Sequence, residues 1–262
     1  ANSSSAFGYF NTAGGLASSA FGWSNTASAE NASAFGYVNE ASGLASSALG
    51  FRNKAANENA SAVGYGNNAG GVASSAFGFS NVAKVDYASA FGYSNEASGL
   101  ASSAVGFRNK AASENASAVG YGNNANALAA SAVGYNNTAG GVGSSTIGYN
   151  NTATNENASA FGYGNTAGGL ASSAFGFSNT ASGDNANAFG YNNIASGSKS
   201  NVFGTGNTVS GSSSTAVGTA NEVAAENSTA IGNNNTISSG AENSAALGNN
   251  ISISLKDSVA SV

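Results

Sequence analysis

Residues 31–39 read Asn31-Ala32-Ser33-Ala34-Phe35-Gly36-Tyr37-Val38-Asn39, and variations of this line return through the chain every 14 residues. The glycine marks the beat. Gly8, Gly22, Gly36, Gly50 and their successors fill seventeen consecutive stations up to Gly232, and Gly248 follows after 16 residues. A short fixed period sustained over a chain means a stack of equivalent units, each touching only its neighbours. Fold class follows before any single side chain is weighed. Function has then to be sought on the surface that the stack displays.

Around the ladder glycine the residue types are nearly constant. Ala stands two places before it in sixteen of eighteen units, and a large apolar residue such as Phe7, Leu49, Val63 or Ile147 comes just before it each time. An aromatic follows it in the first fourteen units, from Tyr9 and Trp23 to Tyr191. Asn comes three places after it in the first seventeen (Asn11, Asn25, Asn39, Asn53 onward), and Ala five places after it in the first fourteen. Small, large, Gly, large along a strand puts Ala and Gly on one face and the large residues on the other. The Asn reads as a turn residue that tolerates left-handed dihedrals. A second short strand centres on the next Ala, and a turn such as Ser42-Gly43 closes the coil. The expected fold is all-β: a narrow parallel β-roll, or solenoid, with 14-residue coils. A helical reading fails because Gly and Asn recur too densely.

A slower rhythm lies beneath. Eight places after the glycine, apolar and acidic residues alternate (Leu16, Glu30, Leu44, Glu58, Val72, Asp86), until Leu128 and Val142 interrupt the series. Residues 88–125 repeat 32–69 with three differences, which points to duplication of a 56-residue block. Stacking in register sets Glu40 beside Lys54 and Glu96 beside Lys110 on successive coils, so each pair is expected to form an ion pair. Three segments are expected: regular aromatic-rich repeats over 1–204, variant repeats over 205–250, where Thr205, Thr219, Asn233 and Asn249 replace the aromatics, and the start of a neck or connector at 251–262.

Composition excludes several functions. Seven Lys and Arg in a chain of net charge -5 make nucleic acid a poor partner. Without His or Cys there is no serine–histidine or cysteine–histidine nucleophile and no good zinc site, so neither a cofactor, a metal nor catalysis is expected. The twelve acids sit singly on repeat positions, as solvated turn charges do. A glycan-active β-helix enzyme would need acids clustered on neighbouring coils. The chain has no apolar run of 18 residues and no signal-peptide pattern, so any membrane link is expected to lie in a missing C-terminal anchor.

A 14-residue coil is too thin to bury two large side chains per strand. One Trp, ten Tyr and fourteen Phe must therefore lie largely outside, forming a stripe larger than a soluble monomer usually exposes. Closed rotational symmetry hides such a stripe, and a homotrimer fits a stripe on one side of a narrow rod. The units Asn31-Ala-Ser-Ala-Phe-Gly-Tyr37 and Asn227-Ser-Thr-Ala-Ile-Gly232 resemble the 14-residue head repeats of trimeric autotransporter adhesins, of which YadA is the type example. The resemblance implies a left-handed parallel β-roll, three chains per head, and display on a Gram-negative outer membrane above a coiled-coil stalk and a barrel anchor, both absent from this chain. The Asn-rich composition is similar to that of heads from fusobacteria and veillonellae. Family heads usually carry an aliphatic before the glycine and a polar residue after it, whereas this chain is largely aromatic at both places.

The expected function is that of an adhesin head that attaches a bacterium to host cells. The resemblance implies a host receptor, with carcinoembryonic-antigen-related adhesion molecules as one candidate, or a matrix protein. Residues that depart from the repeat with large or cationic side chains are the candidate contacts: Phe10, Trp23, Val38, Arg52 and Tyr87. The alternative is an ice-binding or other structural β-solenoid, which calls for a regular Thr or Ser face.

Overall fold

The computed structural model describes residues 3–261. A five-residue strand such as Ser33–Tyr37 alternates with a two-residue strand such as Glu40–Ala41, from Ser5–Tyr9 to Ser252–Ile253, and no described residue is helical. Within each unit the strands pair in parallel with their counterparts one repeat away: Ser33 with Ser47, Ala34 with Ala48, Gly36 with Gly50. The fold is a parallel β-solenoid of 14-residue coils, as the period dictates. The absence of Pro leaves every backbone N–H free to join the ladders.

The chain divides into two compact units, Ala1–Val133 and Gly134–Val262. Within the first, long strands from Ser5–Tyr9 to Ser117–Tyr121 and short strands from Thr12–Ala13 to Asn124–Ala125 follow one another without a change of register. In the second the same scheme runs from Thr138–Ala139 to Ser252–Ile253. There Thr229 pairs with Ala245, 16 residues on, so the two extra residues are absorbed in the turn at 239–240 without disturbing the ladder.

The interior is a column of methyl groups. Ala20, Ala27, Ala34 and Ala41 have no exposed surface in the first unit, nor have Ala160, Ala167, Ala174 and Ala181 in the second. Val202, Val209, Val223 and Ile237 thicken this core towards the end of the second unit. A buried methylene-sized group stabilises by only about 0.8 kcal/mol, so alanine burial alone is a weak cement for so thin a coil.

Buried asparagines supply the rest. Asn39 is 1% exposed and holds four groups at once. Its Nδ2 donates to the carbonyls of Phe35 (2.9 Å) and Gly50 (2.7 Å) and approaches Asn25 Oδ1 (3.0 Å). Its own Oδ1 accepts from the Asn53 amide at 3.0 Å. Asn25, Asn53 and Asn67 repeat the arrangement in the first unit, and Asn165, Asn179 and Asn193 in the second. The asparagine is therefore an internal brace. It is not the left-handed turn residue that its type suggests. That conformation falls one place earlier, at Phe10, Ser24, Val38 and Arg52, all with φ between 53° and 55°.

The ladder glycine also departs from the simple two-faced picture. Its φ is +119° at Gly36, a value only glycine adopts freely, and a methyl group there would overlap the carbonyl oxygen of Gly50. It marks a close passage between coils rather than a share of the Ala-lined interior, and Gly36 itself is exposed.

Candidate recognition surface

Two columns of large side chains stand on the outer face of the long strands. One is the residue before the glycine: Phe21 and Phe35 stack at 5.1 Å in the first unit, and Phe161, Phe175 and Phe189 at 4.7 and 4.9 Å in the second. The other is the residue after it. Tyr37, Phe51, Tyr65 and Phe79 stack at 4.9, 4.8 and 4.7 Å with planes within 6° of parallel. Tyr135, Tyr149 and Tyr163 do the same at 4.8 Å in the second unit. These centroid distances are the strand spacing of a sheet, so register alone produces the stacks. Members of both columns remain 36% exposed or more in most coils, and the aromatic stripe is a surface feature.

Beside the second column runs the left-handed corner. It carries Phe10, Val38 and Arg52 on the first, third and fourth coils, and Trp23 lies next to it on the second. Four of the five candidate residues thus come together along one edge of the first unit. Phe10 is 73% exposed and meets Tyr9 edge-on at 4.1 Å; Trp23 lies on Tyr9 at 4.3 Å. Arg52 places its guanidinium carbon 5.2 Å from the centre of the Phe51 ring, a cation–π distance. Tyr87 is apart from them. It occupies a second left-handed position, φ 59°, in the turn that follows the short strand, and is 62% exposed.

That second turn was only partly read from the sequence. Its left-handed station also holds Ala17, Asn31, Ala45 and Asn59, which the 14-residue pattern did not single out. Beside it the alternating apolar and acidic series is exposed at Leu16, Leu44 and Leu100. Where the acid is Asp, its carboxylate caps the amide of the coil before: Asp86 Oδ1 accepts from Val72 N at 2.8 Å, and Asp184 Oδ1 from Leu170 N at 3.0 Å. Arg108 is the counterpart of Arg52 in the duplicated block, 5.1 Å from the Phe107 ring centre, and the sequence signal for it was the duplication itself.

Charges elsewhere are sparse and outward. Lys54 and Glu40 lie 3.2 Å apart and Lys110 and Glu96 3.7 Å apart, as the register requires, and Lys256 pairs with Glu242 at 3.1 Å. Glu242 has its carboxyl held below the usual glutamate range, first by a hydrogen bond to its own backbone and then by Lys256. Among the described residues no three His, Cys, Asp or Glu approach closely enough to hold a metal ion, and no helix is long and apolar enough to cross a membrane.

A family model, the YadA head domain repeat in two copies, matches residues 13–38, 41–67, 69–95, 97–123, 139–165, 167–193, 181–207 and 210–235. The chain belongs to the YadA head repeat family. No curated protein matches it beyond that family pattern. YadA-type head repeats are adhesin-type structural modules rather than enzymes, and the family places such repeats in surface-exposed autotransporter passengers. Successive 26- or 27-residue matches each span about two coils, so the family unit and the coil share one period.

Proposed function

We propose that this YadA-type head forms a homotrimer on the bacterial surface and attaches the cell to a host receptor or matrix protein. The observation that carries the proposal is the column before the glycine. It is apolar in every unit from Phe7 to Leu247, even where the column after the glycine turns to Thr205, Thr219, Asn233 and Asn249. Phe35, Val119, Ile147, Val217 and Leu247 are all exposed in the single chain. A column that stays apolar where its neighbour becomes polar is suited to a threefold seam. The tyrosine hydroxyls of the second column favour water, so that column faces outward.

Recognition then falls to the outward column and the adjoining corner, with Phe10, Trp23, Val38 and Arg52 as contacts and Tyr87 on a separate edge. Three copies multiply weak contacts through effective concentration. A carcinoembryonic-antigen-related adhesion molecule is one receptor to screen, and extracellular-matrix proteins are the other class.

Light scattering after size exclusion tests assembly: three times the monomer mass supports the seam, and a clean monomer overturns it. Binding of the assembled head to epithelial receptors and matrix proteins tests attachment. A head that binds none of them leaves only a structural reading. Ice-surface recognition is the second reading, because Thr138, Thr152, Thr166 and Thr180 form a four-coil rank on the short strands of the second unit. Thermal hysteresis in the purified head would favour that reading over adhesion.

A further inference from the structure

In the first unit the outward column alternates, Tyr37-Phe51-Tyr65-Phe79-Tyr93-Phe107, so its tyrosines from residue 37 to 93 are two coils apart. Two strand spacings separate such rings by roughly 9.5 Å. In the second unit three tyrosines follow without interruption. Tyr135 and Tyr149 have ring centroids 4.8 Å apart and planes 3° from parallel, and Tyr149 and Tyr163 repeat both values. All three residues are 42–46% exposed. Stacking covers the ring faces, so the exposed part of each residue is its edge, where the hydroxyl and the carbons ortho to it lie.

We propose that Tyr135, Tyr149 and Tyr163 form an oxidative cross-linking site, at which adjacent coils are joined by a dityrosine bond. The co-reactant is hydrogen peroxide used by a haem peroxidase or another one-electron oxidant. Each of two neighbouring tyrosines gives up one electron and its phenolic proton. The two radicals join through a new carbon–carbon bond between ortho positions. Each ring then moves its displaced hydrogen to oxygen and recovers its aromaticity. Two phenols lose two hydrogens in total, and one peroxide becomes two waters. Parallel register holds the partners at the strand spacing before oxidation, so the coupling is intramolecular and does not depend on protein concentration. The product ties coil to coil across 14 residues in a chain that has no cysteine to do so. The site stands whether or not a host receptor is found.

The test is peroxidase with limiting hydrogen peroxide on the purified head, followed by a denaturing gel, dityrosine fluorescence and mass spectrometry of the digest. Tyr121, one repeat before Tyr135, is replaced by Phe in every sample so that only one tyrosine run is present. N-acetyltyrosine in a parallel reaction confirms that the oxidant is active. Expected are peptides joined between Tyr135 and Tyr149 and between Tyr149 and Tyr163, lighter by two hydrogens, at the monomer position on the gel. Tyr149→Phe should remove both. The column already accepts Phe between tyrosines, as Phe51 stacks between Tyr37 and Tyr65, so this variant keeps the fold. Tyr163→Phe should remove one and leave the other. Equal yields among Tyr37, Tyr65 and Tyr93, undiminished fluorescence in Tyr149→Phe, or no coupling while N-acetyltyrosine couples would each overturn the proposal.

Discussion

Replacing Asn95 by Ala tests whether the solenoid is braced by its buried asparagines or by its backbone ladders alone. Asn95 is 1% exposed. Its Nδ2 donates to Phe91 O at 2.9 Å and Gly106 O at 2.7 Å, and its Oδ1 accepts from Asn109 N at 3.0 Å. The substitution strips the Asn109 amide of this acceptor and the Phe91 and Gly106 carbonyls of this donor, inside a wall too tight to admit water freely. Asn109 Nδ2 retains the carbonyls of Val105 and Gly120 and is not orphaned. A buried group left without its partner costs ~1–3 kcal/mol, so three such groups cost ~3–9 kcal/mol, and ~4 kcal/mol is the lower working figure. In a stack, stability is a sum of coil and interface terms, so the loss falls on the neighbouring coils and a global melt understates it. Native-state hydrogen exchange reads it locally. A loss of ~4 kcal/mol lowers protection of the Asn109 amide by roughly a thousandfold. Ser94→Ala, on the exposed side of the same corner, should change protection by less than about threefold, the scale of an ordinary surface substitution. A loss under about tenfold in Asn95→Ala would show that the backbone ladders suffice and refute the bracing argument.

Gly106→Ala should part the coils: φ is +118° there and the new methyl overlaps the Gly120 carbonyl oxygen, so a loss above ~3 kcal/mol at the neighbouring amides is expected in native-state hydrogen exchange. Val38→Asn should stabilise its coil by ~1 kcal/mol in the same exchange assay, because a β-branched residue is costly in the left-handed region that Asn tolerates. A double-mutant cycle on Glu40 and Lys54 should return a coupling of about 0–1 kcal/mol, since both side chains are nearly half exposed. Glu242 has a folded-state pKa below its unfolded value, so its contribution is present above the ordinary glutamate range and is lost as pH falls through the lowered value. Protection of the Asp257 amide relative to its intrinsic exchange rate, through the bond to Glu242 O at 2.9 Å, should fall on acidification, and Glu242→Gln should flatten that dependence.

Strand pairing was legible because it depends on period alone. Once Gly8, Gly22 and Gly36 keep one interval, in-register stacking places Glu40 on Lys54, and the ion pair forms. What side chains do within a coil was less legible. Asn is common in turns, and residue type alone favours that use over a buried brace. Only in the folded coil is it visible that Asn39 turns inward and takes four partners, while Val38 beside it takes the turn. The ladder glycine misled for a related reason: alternation along a strand assumes ordinary strand dihedrals, and φ near +119° breaks that assumption. The proposed recognition edge was half visible. Departures from the repeat drew notice to Phe10, Val38 and Arg52, but nothing in their sequence indicates that all three share a left-handed backbone.

That shared backbone bears on where a head of this kind can vary. Interior stations are nearly closed: Ala34 and Asn39 have essentially no surface, and only coils late in the second unit carry Val or Ile where the others carry Ala. Strand stations that face outward are held by stacking on both neighbours. The two left-handed corners are different, since their side chains leave the coil outward and take no part in the strand pairing. Ser, Gly, Asn and Ala fill most of them, the types that the conformation disfavours least or that are small enough for it. Phe10, Val38, Arg52 and Tyr87 accept a backbone that costs an L-residue roughly 1–2 kcal/mol. One corner presents Phe10, Val38 and Arg52 to solvent at the edge of a rigid aromatic face, and the other presents Tyr87 apart from it. A solenoid whose period fixes everything else can change its surface most cheaply at such corners, because a substitution there alters one coil's local strain and leaves the pairing of every other coil intact.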